Sequence, residues 1–293
     1  MLLDDVISVH FSRKYCFLLI LLSLIGFTSC GGKKPVLFDD STADGTEKEE
    51  DFEEMEDTLV YDLPETAIPE TVDESFLDFL YTFLHRRSFQ LERVAYPVMV
   101  VNEDGEILET LRNGKAVNAE LQFDSFEYLV MLIGEDQDPY DYLDQVADHA
   151  EVKQVNLHSV SCRTFVFDLR DEGWMFTGIR HENVGRDESF VRFYNQFVTD
   201  SIYRDEHLAQ EIFVSLPSSD DDMEMIDGNI DSGQWDVFAP ELPKDHLLLL
   251  DLGTHVNTSS GVKFVKCSVA SSMLEVLTFE KEANDWKLIR YEE

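Results

Sequence analysis

Apolar positions along the chain follow two periods, and the pattern is written twice. Phe76, Phe79, Leu80 and Phe83 fall at i, i+3, i+4 and i+7, one stripe at the helical period. Phe190, Phe193, Tyr194 and Phe197 repeat the stripe 114 residues later, each copy opening on Asp-Glu-Ser-Phe. Each stripe predicts an opening helix, followed by a short second helix over 88–94 and 201–208. Asp73 and Glu74 sit where a helix N-terminus favours negative charge, and Thr71 with Glu74 has the spacing of a capping box.

Strand patterns follow. Residues 96–102 and 107–112 flank Glu103-Asp104-Gly105 and predict a hairpin. Phe126, Leu129, Val130 and Ile133 match a further helical stripe. Strands are expected over 152–160, 164–169 and 174–179. In the second copy they are expected over 247–252, 262–270, 274–281 and 286–291. Both copies close on a tryptophan strand, at Trp174 and Trp286, with an offset of 112. This order predicts an α+β fold: two tandem domains, 73–182 and 183–293, each a curved antiparallel sheet wrapped around its N-terminal helix.

The N-terminal region reads differently. Arg13 and Lys14 precede an apolar run of about twelve residues, too short to span a bilayer as a helix and suited to a secretory signal. The run ends in Thr28-Ser29-Cys30-Gly31-Gly32, the arrangement of a bacterial lipoprotein signal, with Phe27 where Leu or Val is more usual. Residues 1–29 are therefore expected to be a lipoprotein signal peptide and Cys30 the lipid-attachment site. An ordinary signal peptide and a buried apolar helix are the competing readings. Residues 30–72 carry three lysines against fourteen acids and three prolines, the composition of an acidic disordered tether.

Composition then narrows the classes. With 60 acidic and 23 basic residues the net charge is −37, which argues against nucleic-acid binding. About −26 of that charge lies in 73–293, so the folded part is acidic too.

The helix stripe, Asp200–Ala209 ("DSIYRDEHLA"), Ile226–Trp235 ("IDGNIDSGQW"), 240–244 ("PELPK") and the terminal tryptophan strand together resemble a family of Bacteroidetes envelope lipoproteins, domain of unknown function 4348 (DUF4348). The resemblance spans essentially all of 73–293. It implies a nuclear transport factor 2-like (cystatin-like cone) fold and an exported, lipid-anchored protein, with no assigned activity.

Chemistry is sparse. Cys162 and Cys267 lie in strands expected to be comparable, either as two buried thiols or as a disulfide. No Cys-x-x-Cys, His-x-x-x-His, Gly-x-Ser-x-Gly or phosphate loop occurs. Acidic clusters at Asp136, Asp138 and Asp141 and at Asp220–Asp222 with Glu224 fail the EF-hand pattern, so neither a metal nor a cofactor is expected. The residues expected to line pockets are Phe76, Phe83, Phe167, Trp174, Phe190, Phe197, Trp235 and Trp286. The leading expectation is a non-enzymatic envelope module that binds a protein, a peptide or a small apolar ligand, tethered at the outer membrane on either its periplasmic face or the cell surface. One alternative is a cone-fold lyase or isomerase that acts on a small apolar molecule through a buried acid such as Asp78 with Tyr81; Asp78, Tyr81 and His85 fall at i, i+3 and i+7. Another is a structural accessory subunit of an envelope complex.

Overall fold

The computed structural model describes residues 68–121, 128–218, 224–253, 260–268, 273–283 and 285–293, all within one compact unit, Thr58–Glu293. The expected signal peptide, Cys30 and most of the expected tether lie outside these residues, as do Phe126 and Asp220–Asp222. Among the described residues no helix is long and apolar enough to cross a membrane.

In chain order the first half runs α1 (Phe76–His85), α2 (Arg87–Glu92), β1 (Val94–Val101), β2 (Ile107–Leu111), α3 (Gly114–Glu120) and β3 (Tyr128–Gly134). It continues with α4 (Pro139–Leu143), β4 (His149–Asn156), β5 (Ser161–Arg170) and β6 (Gly173–Asn183). The second half runs α5 (Glu188–Thr199), α6 (Ser201–Glu206), β7 (Leu208–Pro217), β8 (Met225–Asp231), α7 (Trp235–Phe238), β9 (His246–Asp251), β10 (Gly261–Ser268), β11 (Leu274–Glu282) and β12 (Asp285–Glu292). Apart from α4, the two halves share one order.

The expected capping box at Thr71 and Glu74 does not form. Ser75 begins α1 with no side-chain cap. The Asp73 carboxylate instead accepts from the Trp174 N–H at 2.9 Å and from the Arg93 guanidinium at 2.8 and 3.1 Å. Asp73 thus pins the start of α1 to the closing strand of its half, about 100 residues away.

The stripes do what their period predicts. Phe76, Phe79 and Phe83 meet Phe167 at 5.4, 5.9 and 5.6 Å between ring centroids. Phe190, Phe193 and Phe197 meet Phe279 at 5.3, 5.6 and 5.4 Å. Phe76 reaches Trp174 at 4.9 Å and Phe190 reaches Trp286 at 5.2 Å. Irregularities in pairing fall at matching places as well, between Val166 and Phe167 and between Thr278 and Phe279. In each case the extra, unpaired residue falls on the closing strand, Thr177 on β6 and Ile289 on β12.

Residues 128–134 correct the expected helical stripe: they form a strand. All twelve described strands join one sheet in the order β2-β1-β6-β5-β4-β9-β3-β10-β11-β12-β7-β8. The third strands are exchanged. β9 of the second half pairs antiparallel with β4, β3 of the first half pairs antiparallel with β10, and β3 and β9 run parallel to each other.

Exchange explains the misreading. Leu129, Met131 and Ile133 enter the core beneath α1, whereas Val130 and Leu132 enter the core beneath α5. In β9, Leu248 and Leu250 face the first core, and Leu247 and Leu249 the second. The two cores therefore lie on opposite faces of these shared strands. A strand buried on both faces is apolar at every position and loses its alternation.

Candidate functional site

Cys162 and Cys267 do not occupy comparable strands. Cys162 is on β5 and Cys267 on β10, the counterpart of β4, and they belong to opposite cores. Both are buried free thiols. Burial pushes the Cys267 thiol up to about 11 and raises that of Cys162, so neither offers much thiolate at neutral pH.

Among the described residues, two of the clefts border the second half and take part of their lining from the first. The larger, about 950 Å³, lies where α5 ends, against the segment 239–246. Its lining includes Phe197, Trp235, Tyr128 and Leu242, with Arg204, Lys244, Lys266, Glu241 and Glu275 among its charged groups. Trp235 is held edge-on to Tyr291 at 6.0 Å, and the segment is tied down where the Tyr194 hydroxyl donates to the Pro243 carbonyl at 3.0 Å. Lys266 donates to Glu275 at 2.9 Å and to the Glu241 carbonyl at 3.2 Å, and sits 5.4 Å from the Tyr128 ring centroid. Arg204 donates to Asp236 at 2.8 Å, while its buried Nε has no hydrogen-bond partner. The arrangement is an aromatic and apolar floor with charges of both signs around it.

The smaller cleft, about 580 Å³, is formed by α5, the turn after β4 and the β11–β12 turn. Phe193, Tyr203 and Trp286 provide its apolar wall.

The residues expected to line pockets separate accordingly. Phe197 and Trp235 line the larger cleft and Trp286 the smaller. Phe76, Phe83, Phe167, Trp174 and Phe190 line neither and pack in the two cores. Asp78, Tyr81 and His85 also line neither cleft: Asp78 is exposed, and the His85 ring lies tilted against Tyr81 at 4.4 Å with Nδ1 2.8 Å from the Tyr81 carbonyl. The segment 239–246 escaped the sequence reading of the site, although Pro240-Glu241-Leu242-Pro243-Lys244 stood out as a motif.

Among the described residues no group of three or more His, Cys, Asp or Glu is arranged to hold a metal ion. Asp138 caps α4, accepting from Tyr140 N–H at 2.8 Å and Asp141 N–H at 3.2 Å.

An ionic network crosses between the halves. Lys153 on β4 pairs with Asp251 on β9 at 2.9 Å and with Glu151 at 3.4 Å. Glu151 also takes Arg180 at 2.6 Å, and His149 lies between Asp168 at 2.8 Å and Glu151 at 3.2 Å. Desolvation works against the charged imidazole, but hydrogen bonds to Asp168 and Glu151 prevail and raise His149 above its usual 6.5. Desolvation likewise opposes ionisation of Glu151, where Arg180 and His149 prevail and lower it. A raised histidine stabilises the fold fully below its unfolded value and loses that contribution as pH rises through its folded value. His149→Gln is therefore expected to cost about 0.5 kcal/mol near pH 5.5 and almost nothing near pH 8.5, the size being limited by the side chain's exposure. Urea midpoints of both proteins at the two pH values check this; an equal cost at both would contradict it.

A search of curated proteins finds no match to the chain. Among solved structures, an NTF2-like protein from Bacteroides fragilis is similar over 76% of this chain and 97% of its own, with a TM-score of 0.64 and 24% identity. At that identity the likeness shows the fold, an NTF2-like mixture of helices and a large sheet. The model of the family described as "Domain of unknown function (DUF4348)" matches residues 55–293, and the chain belongs to that family.

Proposed function

We propose that this protein is a lipid-anchored envelope protein built as two cone-shaped domains, 73–182 and 183–293, which binds a ligand and catalyses no reaction. Cys30 carries the lipid, at the outer membrane, and residues 30–72 hold the folded part away from the bilayer. The ligand is an envelope protein segment, a peptide or a small apolar molecule. The observation that carries this reading is the larger cleft. Its volume suits a drug-sized ligand or a few residues of a peptide, and the half-buried Tyr128 and Leu242 with the exposed Met273 supply apolar contact area above the buried Trp235 and Phe197. Its charged groups favour holding over proton transfer: Glu275 is committed to Lys266, and Glu241, Lys244 and Asp245 are exposed. A general base is usually tuned by burial, which these exposed carboxylates lack. The matched ring geometry around Phe167 and Phe279 supports the two-domain reading.

The test uses the native lipoprotein purified from membranes. Mass spectrometry under native conditions, with crosslinked co-purification, should find a retained molecule or partner. Ala239 is exposed at the cleft, and Ala239→Trp, which fills it, should reduce retention at least tenfold. Retention unchanged by that substitution would refute the cleft as the site. Cys30→Ala should release the protein from membranes, and continued membrane association would refute the anchor.

A further inference from the structure

We infer that the smaller cleft is a separate binding site for a small molecule that carries an oxyanion, a carboxylate or a phosphate, on an apolar body. The inference does not depend on the larger cleft.

It starts from a difference between the halves. In the first half the equivalent position is plugged. The Arg93 guanidinium lies 4.8 Å over the Phe89 ring, pairs with Asp73 at 2.8 Å and donates to the Glu172 carbonyl at 2.6 Å. Gly173 leaves room for this plug: its φ is +103°, and a Cβ there would collide with Arg93 and Asp73. In the second half His207 replaces Arg93, Tyr203 replaces Phe89 and Asp285 replaces Gly173. His207 draws back against Tyr203, stacked at 3.8 Å, with its ring nitrogens 2.6 Å from the Tyr203 carbonyl and 2.9 Å from Asp285. The Asp285 carboxylate accepts from the Trp286 N–H at 2.9 Å, the role Asp73 has in the first half. The volume held by the arginine plug is left open.

Cationic and hydrogen-bonding groups face that opening. Lys281, where the first half has Leu169, lies 4.9 Å over the Trp286 ring and makes no ion pair among the described residues. In a chain with 60 acids, a cleft-lining lysine without a carboxylate partner is informative. Arg192 stands on the same wall, tied to Glu188 at 2.6 Å, and His158 reaches in from the turn after β4. That turn is strained: Val160, which also lines the cleft, has φ +53°, unfavourable for a β-branched residue. With Arg192 paired to Glu188, Lys281 is the cation of this cleft that has no carboxylate partner among the described residues, and Asp285 is the one carboxylate in its lining. Gln196 and Ser189 add hydrogen-bonding groups, and the aromatic wall suits an apolar body.

The test uses the whole folded protein and three probes: benzoate, phenyl phosphate and the neutral benzyl alcohol. Binding is followed by the indole N–H resonances of Trp174, Trp235 and Trp286. The two anions should move the Trp286 resonance saturably, more weakly at high salt, and benzyl alcohol should bind at least tenfold more weakly. Which anion binds tighter separates a carboxylate from a phosphate ligand. Lys281→Met keeps the aliphatic stem over Trp286 and should weaken the anions at least tenfold. Arg192→Met, at an exposed position, should weaken them severalfold and serves if the Lys281 variant does not fold. Lys244→Met, in the larger cleft, should leave binding unchanged. Equal binding of benzyl alcohol, indifference to both Lys281→Met and Arg192→Met, or a response at Trp235 in place of Trp286 would overturn the inference.

Discussion

Residues 58–183 expressed alone are expected to remain unfolded, and so are residues 184–293. Each half lacks the strand that completes its sheet. Without the second half, β4 has an open edge where Leu247–Leu250 should pair, and β3 presents six consecutive buried residues with no partner strand. Burying each of the four β9 leucines contributes on the order of 1.5–3 kcal/mol. Their sum rivals the total stability of a typical domain, about 5–15 kcal/mol. Mixing the two fragments should restore the sheet. Amide NMR spectra of each fragment and of the mixture decide the matter, since a dispersed spectrum from either fragment alone would show that it does not need the other.

The second large effect is expected at the ring at the centre of each core. Phe279 meets the three helix rings of α5 at interplanar angles of 69°, 79° and 87°, and Phe167 has the same role beneath α1. Both are fully buried. Removing either ring leaves a cavity that its neighbours cannot close, so Phe279→Ala and Phe167→Ala should each cost about 3–5 kcal/mol. Because β3 and β9 contribute side chains to both cores, each substitution should destabilise the whole unit in a single transition. Urea unfolding followed separately by tryptophan fluorescence and by far-ultraviolet circular dichroism checks this. Two separated transitions, with only one moved by each substitution, would mean that the cores unfold independently.

The opening helices and closing strands were legible in the sequence because each is buried on one face, which preserves its period. Phe76 to Phe83 keep the helical spacing, and Trp174 and Trp286 mark the last strands at a constant offset. Of the third strands, β9 was expected over 247–252 but β3 was read as a helix, since Leu129 to Ile133 face a core on both sides and a continuous apolar run does not distinguish strand from helix. Which half a strand joins is a matter of tertiary pairing, and nothing local in residues 128–134 encodes it. The same exchange made the cysteines misleading: their separation of 105 residues is not the 112-residue offset of the later strands, so they never were counterparts. Aromatic side chains alone were a poor guide to the clefts, because most of them are consumed in the cores. A better signal was available where the copies differ. Aligned at the strand offset, Leu169 against Lys281 and Gly173 against Asp285 mark the place where one half is plugged and the other is open.

Exchange of the third strands is the feature on which the shared cores depend, and disulfide trapping tests it most directly. Glu151 stands opposite Asp251 across β4 and β9, and Ile133 holds the equivalent register position opposite Lys263 across β3 and β10. In residues 58–293 carrying Cys162→Val and Cys267→Val, the pair Glu151→Cys and Asp251→Cys should oxidise to an intramolecular disulfide in the monomer, readily identified by peptide mass spectrometry. The pair Glu151→Cys and Ile133→Cys, which would meet if β3 stayed beside β4 in its own half, should remain reduced. Ready oxidation of the second pair and none of the first would contradict the exchange.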